Sequence, residues 1–350
     1  MGEITNRRWI YARAVDGPLT PAHFEMRREA VPVPGLGQTL VRVRMVSIDP
    51  TNRNWILRPG YLPQVMPGDV MSAFGVGEVV ETRDPYRFRV GDIVHGNLGW
   101  QDYALLNSFD RQEYVHVCRP GASIEDQIGV YGVTGLTAYF GLEKLGPFAA
   151  GETIVVAGAS GACGSILGQL ARAHGCRVVG IAGGRDKCER VKEELGFDAV
   201  ADYKADDFGS QLIAACPGGV SAFSDGVGGA VASAVYPLLR YGARVLDYGN
   251  IANYDANTAE NFRNGTVKRG RTDGEDSLLR ERRVRCERLL VFDHYGRRSA
   301  AVEEMADLLA AGAMTAPSTV VEGFETLPDM LVGVFTGDEA RFGKVSVRIG

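Results

Sequence analysis

A glycine-rich turn at residues 158–165 (GASGACGS) is the first candidate for chemistry in this 350-residue sequence. Ala159 to Gly164 match the pattern AxGxxG, and the turn lies between an apolar β-like run and a helical pattern. Gly161 lets the backbone approach a pyrophosphate, Gly164 permits close packing of helix on strand, and the helix N-terminus offers free amides to the anion. The turn therefore predicts a dinucleotide site, and the alternative is a structural turn without a ligand.

The segment after the second apolar run indicates which dinucleotide binds. Sites that prefer NAD usually place Asp or Glu about 20 residues beyond the glycines, where the carboxylate holds the ribose hydroxyls. Here that place reads IAGGRDKC, whose two glycines leave room for a larger group. Arg185 and Lys187 supply positive charge there, which suits the 2′-phosphate of NADP. The sequence therefore predicts NADPH as the cofactor, although cations at the start of a surface helix are also common.

Alternating strands and helices must position these residues, and the pattern after residue 123 supplies them. Apolar runs of strand length alternate with helical patterns such as RDKCERVKEELG. The predicted strands are 153–157, 177–182, 198–203, 220–225, 244–249 and 288–293. Six strands with helical crossovers predict a parallel, doubly wound sheet of the α/β class.

The first 125 residues or so are predicted to be mainly β, because 38–48 alternates in the manner of a strand and 74–81 and 89–97 are short glycine-punctuated β segments. After a helix at 300–312, the segments 318–335 and 343–349 indicate mixed α/β structure and a last strand. We expect three stretches: a mainly-β domain at 1–127, a doubly wound domain at 128–313, and a return to the first domain at 314–350.

Composition and motifs argue against several classes of function. A formal charge of −5 and a pI near 5.7 disfavour nucleic acid as the main partner, so the Arg-rich stretch 280–288 is predicted to belong to a solvated loop and a surface helix. No apolar run of about 18 residues or signal-peptide core is present, which predicts a cytoplasmic protein without membrane contact. The six cysteines include no CxxC pair and the five histidines no HExxH motif, so we expect neither metal nor disulfides.

Several blocks in order resemble the zinc-independent medium-chain dehydrogenase/reductases. They include YGVTGLTAYFGLEKLG, GETIVVAGASGACGSILGQLA, GCRVVGIAGGRDKC and GNIANYD, with SIDPTNRNW near the start and FGKVSVRI near the end. The chain is most similar to the prostaglandin reductase, leukotriene 12-hydroxydehydrogenase and alkenal double-bond reductase group, which includes curcumin reductase-like enzymes. The resemblance implies a GroES-like mainly-β catalytic domain, a Rossmann domain, a cleft between them, and a homodimer joined through the last Rossmann strand.

The related zinc alcohol dehydrogenases carry a cysteine after the third strand and a GHE motif. Those places hold Asp49-Pro50 and Ala73-Phe74 here, and the four close cysteines of the structural zinc lobe are missing. The resemblance therefore implies a reaction without metal.

The resemblance also implies site residues, position by position. The cofactor-binding positions fall on Ser160, Gly161, Ala162, Cys163, Gly164, Gly184, Arg185, Lys187, Tyr203, Gly226, Gly249, Asn250, Ile251, Leu290, Val291, Phe292 and Arg341. Tyr248 to Tyr254 correspond to the nicotinamide-side segment, and 290–292 to a late strand. Thr51 lies in the substrate pocket, which Trp55 and Tyr61 would line unless they are ordinary core or surface aromatics.

Tyr254 is the residue that we expect to take part in the chemistry. Hydride delivery to the β-carbon of an enone builds negative charge on the carbonyl oxygen, and a phenol can stabilise that enolate and help to protonate the α-carbon. Two departures affect the same side of the site. Gly226 replaces an asparagine that contacts the cofactor in the family, and Arg341 takes the place of another asparagine, where it would grip a phosphate or an acidic substrate.

The sequence thus predicts an NADPH-dependent reductase of the carbon-carbon double bond in α,β-unsaturated ketones and aldehydes. A quinone reductase would use the same two domains and the same cofactor. A non-catalytic NADPH-binding protein is the third possibility, because Gly226 and Arg341 depart from the family pattern. A nucleic-acid role through 280–288 is the weakest alternative.

Overall fold

The computed structural model describes residues 5–84, 86–107, 110, 114–254, 271–336 and 340–350. The strands are β1 (Thr5–Tyr11), β2 (Phe24–Ala30), β3 (Gln38–Ser47), β4 (Phe74–Thr82), β5 (Ile93–Asn97), β6 (Tyr103–Asn107), β7 (His116–Val117), β8 (Thr153–Ala157), β9 (Arg177–Ala182), β10 (Ala199–Asp202), β11 (Val220–Asp225), β12 (Leu239–Asp247), β13 (Arg285–Arg288), β14 (Ser318–Glu322) and β15 (Lys344–Arg348). The α-helices are α1 (Thr51–Leu57), α2 (Ile124–Ile128), α3 (Val133–Leu145), α4 (Ala162–Ala173), α5 (Arg185–Leu195), α6 (Phe208–Ala215), α7 (Gly229–Val235), α8 (Asp273–Glu281), α9 (Arg298–Ala310) and α10 (Leu327–Thr336).

A six-stranded parallel sheet forms the Rossmann part of the molecule, in the order β10-β9-β8-β11-β12-β13. All five residues of β8 and all six of β11 are buried, which is why the central strands are continuous apolar runs rather than alternating ones. The order of the strands reverses beside β8, so the loops after β8 and β11 diverge and leave a crevice at the carboxyl ends of the strands. The predicted doubly wound sheet is confirmed.

The sixth strand differs from the prediction, which was wrong in placing it at 288–293. Strand β13 is Arg285–Arg288, and a 3₁₀ helix, Val291–Arg297, follows it. The strand lies at the edge of the sheet, where polar residues are tolerated, whereas the apolar residues after it are needed elsewhere. Val291 is buried in the Rossmann core, and Phe292 contacts the cores of both domains. Leu290 is 40% exposed.

The other large sheet has the order β14-β15-β3-β4-β5-β7, with β6 paired to β3. Its β15 runs antiparallel to β3 and parallel to β14, so residues 318–348 complete a sheet that begins at residue 38. This is the mainly-β, GroES-like part of the molecule. The division of the chain at 127/128 and 313/314 stays a prediction.

Within the described parts of the chain, no helix combines the length and the apolar character needed to cross a membrane. Strand β13 pairs only with β12 there, so its other edge is open. The predicted dimer through this edge stays a prediction.

Candidate active site

The glycine-rich turn connects β8 to α4, and its glycines are required by close contacts. Gly158 has a φ of +66°, a conformation that residues with a side chain rarely adopt. A Cβ atom on Gly164 would lie 2.3 Å from the Gly158 carbonyl oxygen, so only glycine lets α4 start this close to the strand. Gly161 precedes the first helical residue, Ala162, and no side chain caps the helix amides. The turn thus has the backbone shape and the uncapped helix amides that an anion site requires, and its binding of an anion stays a prediction.

A distant segment supports this turn. The Gly343 amide donates a hydrogen bond to the Ser160 carbonyl oxygen at 2.8 Å, and Gly161 forms an isolated β-bridge with Gly343. Cys163 lies in the first turn of α4, where its thiol donates to the Thr134 carbonyl oxygen at 3.4 Å. Burial raises the pKa of Cys163 to about 12, so the thiol stays protonated at neutral pH.

At the end of β9, one of the predicted 2′-phosphate residues, Tyr203, lies against a glycine. A Cβ atom on Gly183 would lie 2.6 Å from the ring of Tyr203, so the glycine makes room for a half-exposed phenol. Gly184, with a φ of +91°, donates its amide to Asp202 Oδ1 at 2.8 Å. This hydrogen bond orients the start of α5, which carries Arg185 and Lys187.

The two cations of α5 differ in their surroundings. The Arg185 guanidinium is exposed and its Nε lies 2.8 Å from Glu189 Oε1, so it lies along its own helix. Lys187 is partly buried. The contact of either cation with a 2′-phosphate stays a prediction.

The turn after β11 is held by Asp225, which the sequence reasoning did not single out. Its Oδ1 accepts hydrogen bonds from the Val227 amide at 2.9 Å and the Gly228 amide at 2.8 Å. Burial raises the pKa of Asp225 to about 6, although both hydrogen bonds oppose the shift. The sequence did hold a signal for this role. Asp225 is an acidic residue at the end of a buried strand, directly before the glycines of DGVGG.

Tyr254 follows a short 3₁₀ helix, Ile251–Asn253, after β12. Its hydroxyl accepts a hydrogen bond from the Asn250 amide at 3.4 Å. Burial raises the pKa of the phenol, and Asn54 and Arg58, at the end of α1 in the other domain, partly offset this. Tyr254 therefore faces the catalytic domain as a protonated phenol, which is the form that can donate to an oxyanion.

Tyr61 lies in the same region of the cleft. Burial raises the pKa of its phenol, on which Thr51, Asp49 and Tyr254 also act. Thr51 is thus beside Tyr61, as a shared pocket requires. Trp55, in contrast, is 2% exposed and packs edge-on to Tyr61 at 5.7 Å between ring centroids. The prediction that Trp55 lines the pocket is corrected, because its indole lies in the core and packs against Tyr61.

Phe292 joins the two domains rather than extending a strand along the cofactor. Its ring stacks on Tyr114 at a centroid distance of 4.0 Å and packs against Tyr61 at 4.7 Å. The ring of Phe74 lies 5.6 Å away. These rings form an aromatic contact at the base of the cleft.

The Arg341 guanidinium lies against α10. Its Nη1 donates to the Met330 carbonyl oxygen at 3.1 Å, and a Cβ atom on Gly333 would lie 2.1 Å from Nη2. Gly333 thus provides the space for this side chain. The predicted contact of Arg341 with a phosphate or an acidic substrate stays a prediction.

A buried ion pair takes the place where related enzymes carry a zinc ligand. Lys344 Nζ lies 2.6 Å from Asp49 Oδ1, and both residues are almost wholly buried. The carboxylate also accepts from the Ser47 hydroxyl, and the Asp49 amide donates to Asn52 Oδ1 at 2.8 Å. Sequence reasoning missed Lys344, because its partner is 295 residues away. Across the described ranges, no three or more His, Cys, Asp or Glu side chains are grouped so as to hold a metal ion.

Comparison with known proteins agrees with this arrangement. A family described as "N-terminal domain of oxidoreductase" matches residues 7–114, and one described as "Zinc-binding dehydrogenase" matches 162–282. The NADPH-dependent curcumin reductase of Escherichia coli is 36% identical, over 98% of this chain and 97% of its own. The chain belongs to the zinc-independent medium-chain dehydrogenase/reductase family.

Two further members extend this comparison. The NADP(+)-dependent 2-alkenal reductase of Nicotiana tabacum is 30% identical to this medium-chain dehydrogenase/reductase, over 96% of the chain and 95% of the relative. The crystal structure of CurA in complex with NADPH from Vibrio vulnificus superposes with a TM-score of 0.88 at 33% identity, covering 98% of this chain and 99% of that one. The two-domain medium-chain fold is confirmed.

Proposed function

We propose that this NADP-dependent oxidoreductase reduces the carbon-carbon double bond of α,β-unsaturated ketones and aldehydes. The observation that carries the proposal is the position of Tyr254, a protonated phenol that follows β12 of the Rossmann sheet and faces α1 of the catalytic domain. A donor at that point is suited to the oxygen of a carbonyl acceptor. The relatives named as curcumin and alkenal reductases support the same class of acceptor.

The residues present fit NADPH. The Gly158 to Gly164 turn leaves space that a Cβ atom would fill, and the α4 amides there have no side-chain cap. Tyr203 lies against Gly183 after β9, and Lys187 follows on α5, at the place where the 2′-phosphate is expected. The cofactor-binding role of the other positions named from the resemblance is part of this proposal.

When bound, NADPH supplies the hydride that adds to the β-carbon of the acceptor. The phenol of Tyr254 donates a hydrogen bond to the carbonyl oxygen, which becomes an enolate as the hydride adds. The α-carbon then takes a proton, from the phenol or through a water that the phenol orients, and the phenol is reprotonated from solvent. Tyr61 and Thr51 bound the pocket on the side of the catalytic domain. The net change is one hydride and one proton added across the double bond.

The deciding experiment follows NADPH oxidation with a panel of enones, enals and quinones and identifies each product by mass spectrometry. A product that carries two more hydrogens across the alkene supports the proposal. A hydroquinone formed in preference to any saturated carbonyl compound would instead show a quinone reductase. Tight NADPH binding without oxidation by any acceptor would show a non-catalytic binding protein and overturn the proposal.

A further inference from the structure

Gly226 and Tyr248 occupy matching places at the ends of two neighbouring strands. Gly226 follows β11 and Tyr248 follows β12, and these parallel strands pair Asp225 with Asp247 at their last residues. The Tyr248 amide donates to the Asp225 carbonyl oxygen at 3.0 Å, which fixes the two turns to each other. Both residues therefore lie at the carboxyl edge of the sheet, where this fold holds a dinucleotide.

The side chain of Tyr248 explains why residue 226 is glycine. A Cβ atom on Gly226 would lie 2.6 Å from both Cζ and Oη of Tyr248. The backbone does not require glycine there, because Gly226 is absent from the glycines with a positive φ. The ring of Tyr248 takes the space into which a side chain at 226 would project.

The phenol of Tyr248 is surrounded by polar groups of the proposed site. Burial raises its pKa well above the usual value, and Cys163, Asp225, Ser224 and Tyr254 also act on it. The ring also packs against the Rossmann core while remaining partly exposed. The hydroxyl thus lies at the place of a side chain on residue 226, within electrostatic reach of Cys163 and Tyr254.

We propose that Tyr248 is a cofactor-contacting residue whose hydroxyl binds the nicotinamide-side half of NADPH, in the space that a side chain at position 226 would otherwise use. Gly226 is then a positioning residue, because a side chain there would collide with the ring. A phenol both donates and accepts a hydrogen bond, as an amide does, so it can replace one at this place. The inference rests on the proposed function only for the identity of the cofactor, since it requires no particular acceptor.

A double-mutant cycle with NADPH binding as the readout tests this relation. Tyr248→Phe removes one hydroxyl and should raise the Kd for NADPH by about three- to tenfold, the range of a single hydrogen bond. Gly226→Ala should raise the Kd by about tenfold, because the new methyl group displaces the ring. In a Tyr248→Ala background, the same Gly226→Ala change should alter the Kd by less than about twofold, because no ring remains to displace.

A cofactor fragment separates this contact from a general loss of structure. Adenosine 2′,5′-bisphosphate lacks the nicotinamide half, so its Kd should be the same for wild type, Tyr248→Phe and Gly226→Ala. Tyr241→Phe is the matched control, because Tyr241 lies near the amino end of β12 and is 67% exposed. Tyr241→Phe should leave the Kd for NADPH and the Kd for adenosine 2′,5′-bisphosphate unchanged.

Two results would overturn the inference. One is an unchanged NADPH Kd in Tyr248→Phe and Tyr248→Ala, which would make the ring a packing residue. The other is an equal effect of Gly226→Ala in both backgrounds. Because binding is measured without an acceptor, a failure to reduce enones would leave these results interpretable.

Discussion

The pyrophosphate turn and the catalytic-domain side of the cleft differ in what determines their structure. Backbone shape defines the turn, where Gly158 and Gly164 are required by a positive φ and a 2.3 Å approach. Side chains from distant parts of the chain define the other face, where Asp49 pairs with Lys344 and Tyr61 packs on Phe292. Local backbone geometry shapes the first region, with one distant hydrogen bond from Gly343, whereas the second exists only after both domains have formed. Substitutions in the two regions should therefore have different consequences.

The largest effect is expected for Lys344→Met. Removing the ammonium group leaves the buried Asp49 carboxylate without its counter-charge, which should lower the free energy of unfolding by about 3–5 kcal/mol. Denaturant titration measures this loss. The double variant Asp49→Asn/Lys344→Met should regain much of the stability, since no buried charge remains unpaired. If the single variant is as stable as wild type, the pair is not what holds this face of the cleft together.

Tyr254→Phe should act on turnover instead of stability. Loss of the donor to the enolate oxygen should lower kcat by about 100- to 1000-fold with the best acceptor found. The NADPH Kd and the thermal midpoint should stay within about twofold and 2 °C of wild type, because a hydroxyl at the surface of the cleft adds little to the core. Tyr86→Phe, at a 97% exposed phenol, is the control. If Tyr254→Phe keeps full turnover, Tyr254 does not stabilise the enolate.

Acid should weaken the catalytic domain through His95, which is buried, and His116, which is partly buried. Burial lowers the pKa of His116 to about 4 and that of His95 well below its usual value, and the charges of Arg298 and Lys344 add to the respective shifts. The folded state thus keeps both rings neutral while the unfolded chain takes up protons. The contribution of the neutral rings to the free energy of unfolding should be fully present above about pH 6.5. It should fall as the pH drops toward 4, by about 3 kcal/mol for His116 alone.

The pH dependence of unfolding, with and without one ring, measures that effect. His116→Gln should flatten the slope between about pH 6.5 and 4. His174→Gln, at the end of α4 in the Rossmann domain, should leave the slope as it is. An unchanged slope in His116→Gln would show that the acid sensitivity comes from other groups.

The smallest effect is expected at the predicted 2′-phosphate site. Lys187→Ala should reduce the preference for NADPH over NADH by about tenfold, the equivalent of one charge-assisted hydrogen bond. Steady-state KM values for both cofactors give the ratio. Lys192→Ala, at an exposed lysine on the same helix, should not change it. Equal use of both cofactors by the wild type would contradict the 2′-phosphate site altogether.

The sequence predicted what depends on local pattern. The AxGxxG turn, five of the six Rossmann strands and the cations of α5 follow from residues close together in the chain. The sixth strand was misplaced because RLLVFD reads as an apolar strand, whereas tertiary packing draws Phe292 into an aromatic contact with Tyr61 and Tyr114. A one-dimensional pattern holds no information about that contact.

The site was harder to predict where it depends on contacts between distant residues. Trp55 could not be distinguished from a pocket residue until its 2% exposure was known. Lys344 and Asp49 gave no sign of pairing, and Gly226 looked like the loss of a contact until the ring of Tyr248 was found over it. Of the segment 255–288, whose pattern is the hardest to interpret in the sequence, residues 255–270 lie outside the described part of the chain.

The hydrogen bond from Gly343 to Ser160 has a consequence for biosynthesis. A ribosome makes the whole Rossmann sheet before it reaches residue 343, so a nascent chain can complete that sheet while the turn at residue 160 still lacks its support. The Gly343 amide reaches Ser160 only after residue 343 has been added, next to the strand that pairs with β3. The support of the pyrophosphate turn is therefore synthesised later than every strand of the sheet that carries the turn.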